Sequence, residues 1–286
     1  MTTTHDKNLQ VGFVGLGDQG APMARAIAAA GWPLRVWARN ERSYESLGDL
    51  PYERCESVEE LGRRSDVVGL CLTDDADVWE LLDDKGLLGA LSAGGIVVNH
   101  GTGDPTVAVA LANHGEADNR TILDAPVSGG RPAAERSALT TFVGGAPEAA
   151  ERCRPVFDAF STTVAYMGPA GAGQMTKLMN NASLLANLRN AEEIISIGAA
   201  AGLDPRKLAD VLQTGSGSSF ALQFLAGEIS PVMARHLPDL WHKDIGHFSD
   251  AIRGRALPPT VLEARAHEGV AGFLPALKTI ANNAPK

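Results

Sequence analysis

The stretch VGFVGLGDQGAPMARAIAAAG, residues 11–31, contains a strand pattern, a glycine-rich turn and a helix pattern in immediate succession. VGFVG (11–15) is a compact apolar run, typical of a strand that is buried on both faces. APMARAIAAA (21–30) has the composition of a helix and stops at Gly31. Between these two patterns, residues 15–20 have three glycines at the spacing G-x-G-x-x-G. The segment therefore predicts a strand that passes through a tight turn into a helix.

Each glycine of this turn has a separate role if the segment opens a dinucleotide-binding βαβ unit. Gly15 permits the tight turn, Gly17 lets a pyrophosphate approach the backbone, and Gly20 lets the helix pack closely on the strand. The N–H groups at the start of the helix favour a negative charge. The alternative is a glycine-rich turn without a ligand. The predicted cofactor-binding residues of the turn are Gly15, Leu16, Gly17, Asp18, Gln19 and Gly20.

Short apolar runs and helical stretches continue to alternate as far as about residue 164. The further candidate strands are LRVWA (34–38), DVVGLCL (66–72), GIVVNH (95–100), TILDAPV (121–127), LTTFVGG (139–145) and TTVAYMG (162–168). Among the intervening helices, Ser57 and Glu60 predict a capping box, and Asp104-Pro105 predicts an N-cap followed by a first-turn proline. Alternating strands and helices indicate a parallel sheet with crossover helices.

The pattern changes after Gly168, where no convincing strand remains. A long helical pattern extends from about residue 173 to 201 and ends at Gly202, and another helix follows Asp204-Pro205. TGSGSS (214–219) predicts a loop. Further helix is expected to the C-terminus, interrupted by prolines at positions Pro231, Pro238, Pro258 and Pro259.

These patterns predict an α/β fold with two domains. A Rossmann domain with a doubly wound sheet is expected over residues 1–168, beginning with a loose tail over 1–10. An all-helical domain for substrate binding and oligomerisation is expected over residues 169–286, and a long interdomain helix joins the two.

The composition narrows the classes of partner and compartment. The chain has 286 residues and a formal net charge of −9, so nucleic acid and anionic membrane are disfavoured as partners. The three cysteines form no CxxC and no disulfide pattern, which fits a reducing compartment. No apolar run approaches the ~20 residues of a membrane span, and the N-terminus has no signal-peptide pattern. We therefore expect a soluble cytoplasmic protein.

The end of the second candidate strand bears on which dinucleotide is bound. NAD-binding units usually place an acid there to bind the ribose 2′-hydroxyl, whereas an arginine suits a 2′-phosphate. This sequence has Ala38, Arg39 and Asn40, followed by Glu41. We predict that NADP(H) is preferred and that Arg39 and Asn40 contact it. NAD(H) stays possible, because Arg39 could simply be exposed and Glu41 could supply the acid.

Two further stretches carry candidate chemistry. In KLMNN, Lys177 and Asn181 are four residues apart and share one helix face. A lysine can act as general acid or base, and an asparagine can orient a hydroxyl, although a solvated helix face is the commoner reading of such a pair. DAPVSGG (124–130) ends in a hydroxyl and in approachable backbone N–H groups that could hold a carboxylate. By itself this end of the loop could equally be a simple turn.

Four segments taken in order resemble the β-hydroxyacid dehydrogenase family, which includes 3-hydroxyisobutyrate dehydrogenases and the tartronate, glyoxylate and succinic semialdehyde reductases. The similarity covers nearly the whole chain from Val11. The segments are GFVGLGDQGAPMARAIAAAG, DAPVSGG, GAGQMTKLMNN and KDIG (243–246).

The resemblance implies a catalytic set and a binding set. Lys177 is implied as general acid/base, and Asn181 helps to place the substrate. Ser128, Gly129 and Gly130 are implied to bind the substrate carboxylate, with Trp241 and His242 as further candidate substrate contacts. The implied cofactor contacts outside the glycine turn are Arg39, Thr102 and Lys243, and Asn40, Leu72 and Thr73 are further candidate cofactor contacts.

The sequence departs from the family pattern at three places near the expected site. Gln19 stands where methionine is usual, Gly101-Thr102 replaces a Ser-Thr pair, and His242 and His247 flank Lys243. The substrate can therefore differ from the standard ones. No metal is expected, because the histidine spacing is poor and no third ligand is evident.

The resemblance implies an NADP(H)-dependent oxidoreductase that transfers hydride between the nicotinamide and a β-hydroxyacid or small semialdehyde acid, as a homodimer or homotetramer. Lys177 then needs a site that lowers its pKa towards working pH. An NADPH-dependent imine reductase is the alternative enzyme, although such enzymes commonly lack a lysine at this position. A dinucleotide-binding module without catalysis is the alternative from another class.

Overall fold

The computed structural model describes residues 9–227, 231–258 and 260–282, apart from some side chains at the edges of these ranges. The chain divides into two compact units, with the boundary between Lys177 and Leu178. The first unit combines a sheet with helices, and the described part of the second unit contains helices and their connections.

The first unit is built on a nine-stranded sheet. Its strands are β1 (Val11–Val14), β2 (Leu34–Trp37), β3 (Glu53–Arg54), β4 (Val67–Leu70), β5 (Ile96–Asn99), β6 (Thr121–Asp124), β7 (Val127–Ser128), β8 (Leu139–Gly144) and β9 (Ser161–Gly168). Its helices are α1 (Gly20–Ala29), α2 (Val58–Arg63), α3 (Asp75–Trp79), α4 (Leu87–Ala90), α5 (Pro105–Ala117), α6 (Gly130–Glu135), α7 (Pro147–Phe157) and the first turns of α8 (Ala172–Ala200). A 3₁₀ helix (Glu41–Leu47) follows β2, and a π-helical turn (Glu80–Asp84) follows α3. The seven strands predicted from the sequence are confirmed, and β3 and β7 are additional.

The strand order is β3-β2-β1-β4-β5-β6-β8-β7, with β9 paired to β8. Strands β1 to β6 pair in parallel where they are neighbours, as predicted. The sheet is not parallel throughout, however, because β8 runs antiparallel to β6 and β7. The connection from β7 to β8 holds only the short helix α6, and antiparallel neighbours accept shorter connections than parallel ones.

Five of the parallel strands end in one row. Val14 of β1 pairs with Trp37 on one side and Leu70 on the other, Leu70 pairs with Asn99, and Asn99 pairs with Asp124. The chain reverses its direction of travel through the sheet between β1 and β4. In open α/β sheets, ligands bind beyond the carboxyl ends of the strands at such a switch point.

The central strands are buried on both faces, which explains their continuous apolar sequence. In β5, Ile96 and Val98 belong to one hydrophobic cluster, and Val97 between them belongs to another. Successive side chains of a strand point to opposite faces, so the two clusters lie on the two sides of the sheet. The helices supply the rest of both clusters, with Met23 and Ile27 of α1 in the first.

The predicted helix starts are largely confirmed. The Ser57 side chain accepts a hydrogen bond from the Glu60 N–H, and Asp104 accepts one from the Thr106 N–H. The capping box is incomplete, because the Glu60 carboxylate accepts from the N–H of Glu56 instead of that of Ser57. The Ser57 bond alone therefore caps α2.

The second unit continues α8 and adds further helices. These are α9 (Pro205–Leu212), α10 (Phe220–Ala226), α11 (Pro231–Gly254) and α12 (Val261–Asn282). The end of α8 is confirmed, with Gly202 at a φ of +83°. No described helix is both long enough and apolar enough to cross a bilayer.

The prediction that Pro238 interrupts a helix is wrong, because Pro238 lies inside α11. A proline removes one helical hydrogen bond, and the following turns compensate by burying Trp241, Ile245 and Phe248. Pro231 is the first residue of the helix, and Pro258 lies in the connection to α12. Pro259 lies outside the described residues.

Candidate active site

The glycine turn has the geometry that its spacing predicts. Gly15 has a φ of +95°, and a Cβ there would lie 2.2 Å from the Cys71 carbonyl oxygen. A Cβ on Gly20 would lie 1.8 Å from the Gly15 carbonyl oxygen, so α1 packs directly on the turn. A Cβ on Gly17 would meet no atom within 4 Å. The backbone at Gly17 is therefore open to a ligand, while Gly15 and Gly20 are required by the fold.

The other predicted cofactor contacts in the first unit follow neighbouring strand ends. Arg39 and Asn40 follow β2, Leu72 and Thr73 follow β4, and Thr102 follows β5. Because β1, β2, β4 and β5 end in one row, these segments lie at the same edge of the sheet as the glycine turn. Leu72 and Thr102 are half-buried, and Thr73 is exposed.

Arg39 presents an accessible guanidinium at this edge. Its side chain is 65% exposed, and Nη2 lies 3.4 Å from a carboxylate oxygen of Asp77 and 3.2 Å from one of Glu80. Exposed ion pairs of this kind contribute little free energy. The guanidinium can therefore exchange these partners for another anion at little cost.

The two residues after Arg39 are engaged locally. The Asn40 side chain accepts a hydrogen bond from the Arg42 N–H and so caps the 3₁₀ helix. The Glu41 carboxylate forms an ion pair with Arg54, and this hydrogen bond lowers the pKa of Glu41. The acid that could have served a ribose hydroxyl is thus already paired.

The Ser128-Gly129-Gly130 segment makes a sharp turn into α6. Gly129 has a φ of +124° and Gly130 a φ of +65°, values that favour glycine. A Cβ on Gly129 would also lie 2.5 Å from the Cβ of Ala133. The next residue, Arg131, lies 3.4 Å from Asp18 of the glycine turn, so these two loops are neighbours.

Lys177 and Asn181 lie four residues apart on α8, on the same face of the helix. Both are buried, with Lys177 8% exposed and Asn181 5% exposed. The commoner reading of such a pair, a solvated helix face, is therefore wrong. Lysine is seldom this deeply buried without a specific role or partner.

Asn181 has a fixed partner in the second unit. Its Nδ2 donates a hydrogen bond of 2.7 Å to Oδ2 of Asp244, which is also buried. Asn180 Nδ2 donates to Asn181 Oδ1 at 3.1 Å. These bonds fix the orientation of the Asn181 amide, with its nitrogen towards Asp244 and its oxygen towards Asn180. Lys243 is adjacent in α11 and half-buried.

Two buried residues that the sequence analysis assigned no role connect this edge to the start of α8. The Asp124 carboxylate accepts hydrogen bonds from the N–H groups of Gly171, at 2.9 Å, and Gln174, at 2.8 Å. The Gln174 side chain accepts from the Gly103 N–H at 3.0 Å and donates to the Gly101 carbonyl at 2.7 Å. Burial raises the pKa of Asp124 to about 6, and the backbone N–H groups oppose that shift.

The glycines at the start of α8 are required by close packing on this carboxylate. A Cβ on Gly173 would lie 2.5 Å from the Phe142 carbonyl oxygen and 2.6 Å from that of Asp124. Gly171 has a φ of +85°. A carboxylate at the end of an apolar strand is the signal that could have marked Asp124, because a buried charge requires partners.

His100 is another buried titratable group beside the site. Its Nδ1 donates to the Ala125 carbonyl at 2.9 Å, and its ring packs against Phe13, Phe157 and Phe160. Burial lowers the pKa of His100 to about 4, although the hydrogen bond acts in the opposite direction. The ring is therefore neutral near pH 7, with its proton on Nδ1.

The two candidate substrate contacts on α11 differ in their surroundings. Trp241 is buried against Phe273 and Phe224, with ring centroids 4.9 Å and 6.1 Å apart. His242 is exposed, and its Nδ1 donates to the Pro238 carbonyl at 2.7 Å. Within residues 9–227, 231–258 and 260–282, no group of three or more His, Cys, Asp or Glu residues is placed to hold a metal ion.

The chain matches two family models. Residues 10–168 match the NAD-binding domain of 6-phosphogluconate dehydrogenase. Residues 171–271 match the NAD-binding domain of NADP-dependent 3-hydroxyisobutyrate dehydrogenase.

Similar proteins include dehydrogenases with different substrates. The NAD-dependent L-serine dehydrogenase of Pseudomonas aeruginosa is 35% identical over 75% of this chain and 72% of its own length. The structure of Mycobacterium tuberculosis 3-hydroxyisobutyrate dehydrogenase with L-serine has a TM-score of 0.81 and 25% identity, and covers 96% of this chain and 98% of that one. Psf3, solved with NADP+ and 2-OPP, has a TM-score of 0.80 and 26% identity, and covers 96% of this chain and 100% of that one.

The glycine turn at the switch point, the strand ends beside it and these similarities lead to one conclusion. The chain belongs to the β-hydroxyacid dehydrogenase family and is an NAD(P)-dependent enzyme that acts on CH–OH groups.

Proposed function

We propose that this enzyme transfers hydride between NADP(H) and a β-hydroxyacid or small semialdehyde acid, with Lys177 as the general acid/base. The observation that carries the proposal is the burial of Lys177 on the same helix face as Asn181. A buried amine beside a fixed amide fits proton transfer to a positioned oxygen better than it fits a structural ion pair at the surface.

The residues at the edge of the sheet fit a dinucleotide. The open backbone at Gly17 and the start of α1 can accept the phosphates, while Gly15 and Gly20 keep the turn compact. When bound, the nicotinamide accepts hydride in oxidation and supplies it in reduction. Leu72, Thr73 and Thr102 are proposed to contact the cofactor from the ends of β4 and β5, with Lys243 contributing from α11.

The choice of NADP(H) over NAD(H) rests on the end of β2. The guanidinium of Arg39 is accessible and weakly paired, so it can bind a 2′-phosphate. The nearest acid in sequence, Glu41, is engaged by Arg54. The NAD-dependent relative shows that the other cofactor also occurs among similar proteins, so NAD(H) is retained as a weaker cofactor.

The proposed role of Lys177 is to move one proton. In oxidation, its neutral amine accepts the proton of the substrate hydroxyl while the carbon-bound hydrogen leaves as hydride, and the C–O bond becomes a carbonyl. In reduction, its ammonium form polarises the carbonyl oxygen and returns the proton to it. Because only 8% of Lys177 is exposed, bulk water has little access to the amine.

The remaining residues are proposed to orient the substrate. The Ser128 hydroxyl and the backbone N–H groups of Gly129 and Gly130 suit a carboxylate, and both glycines adopt the positive φ values of a tight turn. Asn181, fixed by Asp244, is proposed to hold the reacting hydroxyl. His242 and Trp241 are proposed as further substrate contacts from α11. We also propose that the helical part of the chain mediates assembly into a homodimer or homotetramer, which light scattering after size exclusion measures directly.

A substrate screen tests the proposal. NADPH oxidation is measured with glyoxylate, succinic semialdehyde, tartronate semialdehyde and a cyclic imine, and NADP+ reduction with 3-hydroxyacids and L-serine. We expect turnover with an acid of the first group or with a hydroxyacid. Turnover of the imine alone would identify an imine reductase instead. NADPH binding without turnover of any compound would identify a binding module.

The lysine is tested by Lys177→Ala. We expect kcat to fall by about 10²–10⁴-fold, the range of general acid/base catalysis, while the Kd for NADPH measured by its fluorescence changes little. Lys207→Ala, on the outer surface of α9, is the matched control and should keep the wild-type rate. A Lys177→Ala enzyme with wild-type kcat would remove the proposed role.

A further inference from the structure

The Gln174 side chain bridges two parts of the first unit that carry proposed functional residues. Gln174 is 1% exposed and lies one helical turn before Lys177 in α8. Its amide oxygen accepts from the Gly103 N–H and its amide nitrogen donates to the Gly101 carbonyl. These two bonds fix the backbone on either side of Thr102.

The backbone of Gln174 is itself fixed from the sheet. Asp124, at the end of β6, is 3% exposed and accepts from the N–H groups of Gly171 and Gln174. Gly173 packs on the backbone of the same strand. A continuous chain of buried hydrogen bonds thus leads from β6 through Gln174 to the segment after β5.

An amide side chain has both the acceptor and the donor that these two hydrogen bonds require. The Gly103 N–H needs an acceptor, and the Gly101 carbonyl needs a donor. Methionine has a similar length but neither group. A Gln174→Met substitution would therefore leave two buried backbone groups without these partners, and the segment would have to move to find others.

We propose that Gln174 is a positioning residue that holds the Gly101–Gly103 segment, and with it Thr102, at a fixed distance from the turn of α8 that carries Lys177. The inference rests on the proposed function, in which Thr102 contacts the cofactor and Lys177 moves the proton. It adds that one side chain, the Gln174 amide, fixes the spacing between the residue that contacts the cofactor and the residue that moves the proton. A displacement of about 1 Å in such an arrangement can lower a rate by about 100-fold.

The test compares Gln174→Met with Thr176→Val. The Thr176 hydroxyl bonds only to the Ala172 carbonyl of its own helix among the hydrogen bonds described, so its loss leaves the Gly101–Gly103 segment untouched. Hydrogen–deuterium exchange of the peptide that spans residues 99–104 measures how strongly the backbone of this segment is protected. Single-turnover reduction of the best substrate of the screen, with NADPH and with NADPH deuterated at C4, measures hydride transfer.

We expect faster exchange of the 99–104 peptide in Gln174→Met and a hydride-transfer rate about 10- to 100-fold below wild type. The deuterium effect on kcat should rise as the chemical step becomes limiting. Thr176→Val should match wild type in both measurements. A purely structural loss would lower the fraction of enzyme that binds NADPH but leave the single-turnover rate of the bound fraction unchanged.

Two results would overturn the inference while the proposed function stands: unchanged exchange in Gln174→Met, or faster exchange with an unchanged single-turnover rate. If the Met variant does not fold, Gln174→Asn, which keeps the amide but is one methylene shorter, replaces it with the same expectations. If the wild-type enzyme transfers no hydride to any compound of the screen, the proposed function fails and this inference fails with it.

Discussion

Asn181 Nδ2 donates a 2.7 Å hydrogen bond to Oδ2 of Asp244, and both side chains are buried. The bond joins α8 to α11 within the second unit and connects a proposed substrate-orienting amide to the residue beside Lys243. A buried hydrogen bond of this length is directional. Asp244 therefore fixes the orientation of the Asn181 amide, which is proposed to hold the substrate hydroxyl.

Asp244 should act on catalysis through Asn181. We expect Asn181→Ala and Asp244→Ala each to lower kcat by about 10-fold or more, since leaving a buried hydrogen-bond partner unsatisfied costs about 1–3 kcal/mol. In the double variant the two effects should not add, because the second substitution removes an interaction already lost. Steady-state kinetics of the four enzymes measure the coupling.

Asp250→Ala, on the same helix as Asp244, is the control for this comparison of single and double variants. Asp250 is exposed and pairs only with Arg253 among the ion pairs described. Its removal should leave kcat unchanged. Additive effects of the Asn181 and Asp244 substitutions would contradict the positioning role.

The dependence of stability on pH should reveal the opposed titrations of Asp124 and His100. The folded pKa of Asp124, about 6, exceeds its ordinary value of 3.8, so its contribution to stability is full below pH 3.8 and is lost as pH rises through about 6. The folded pKa of His100, about 4, is below its ordinary 6.5, so its contribution is full above pH 6.5 and is lost as pH falls through about 4. Each contribution to the free energy of unfolding is about 3 kcal/mol. Between pH 4 and 6 the loss from Asp124 and the gain from His100 nearly cancel, so the free energy of unfolding of the wild type changes little with pH.

Asp124→Asn should remove the pH dependence that comes from Asp124 and leave the pH dependence that comes from His100. Relative to wild type, the free energy of unfolding of Asp124→Asn should rise by about 3 kcal/mol as pH increases from 4 to 6.5. His100→Phe should show a fall of similar size. Urea unfolding at a series of pH values measures both differences. A pH-independent difference for either variant would mean that the residue does not titrate as its burial requires.

Arg39→Ala should distinguish the two cofactors. We expect the Kd for NADPH to rise by about 10- to 100-fold, from the loss of a charge-assisted contact with the 2′-phosphate, and the Kd for NADH to change little. Arg63→Ala is a control of equal charge, because Arg63 is an exposed residue of α2 that pairs with Glu59. Equal weakening of both cofactors by Arg39→Ala would refute the assignment of the 2′-phosphate to this residue.

Gly17→Ala and Gly20→Ala should separate binding from folding. A Cβ at position 17 meets no atom within 4 Å, so Gly17→Ala should melt near the wild-type temperature yet bind NADPH at least about 10-fold more weakly, since the methyl group occupies the path of the pyrophosphate. A Cβ at position 20 lies 1.8 Å from a carbonyl oxygen, so Gly20→Ala should lower the melting temperature by several degrees. Scanning calorimetry and NADPH titration measure the two effects. Tight NADPH binding by Gly17→Ala would exclude a pyrophosphate at this turn.

The fold was largely predictable because its signals are local and repeated. The strand, turn and helix at the N-terminus follow from consecutive residues, and the apolar runs of the central strands reflect burial on both faces. Strands β3 and β7 are two residues each, too short for any periodicity. The continuation of α11 through Pro238 is not predictable from the sequence, because the cost of the proline to the helix is local, whereas the packing of Trp241 and Phe248 that offsets it is tertiary.

The candidate site was predictable only in part. Helical periodicity placed Lys177 and Asn181 on one face, but their burial depends on packing that spacing does not encode. Asp124 and Gln174 stand in motifs quoted from the sequence, yet their roles depend on which backbone N–H groups lie within hydrogen-bond distance. Such partners come from segments more than 40 residues away, and a pattern read along the chain cannot supply them.

The alignment of Trp37, Val14, Leu70, Asn99 and Asp124 in one row also bears on how proteins of this kind diversify. The segments beyond the row can change their side chains while the ladder beneath them stays fixed by backbone pairing and by apolar packing. Selection can thus alter the segments that are proposed to contact the cofactor without rebuilding the scaffold. An NAD-dependent relative and a structure solved with NADP+ can accordingly both be similar to this chain, at 35% and 26% identity.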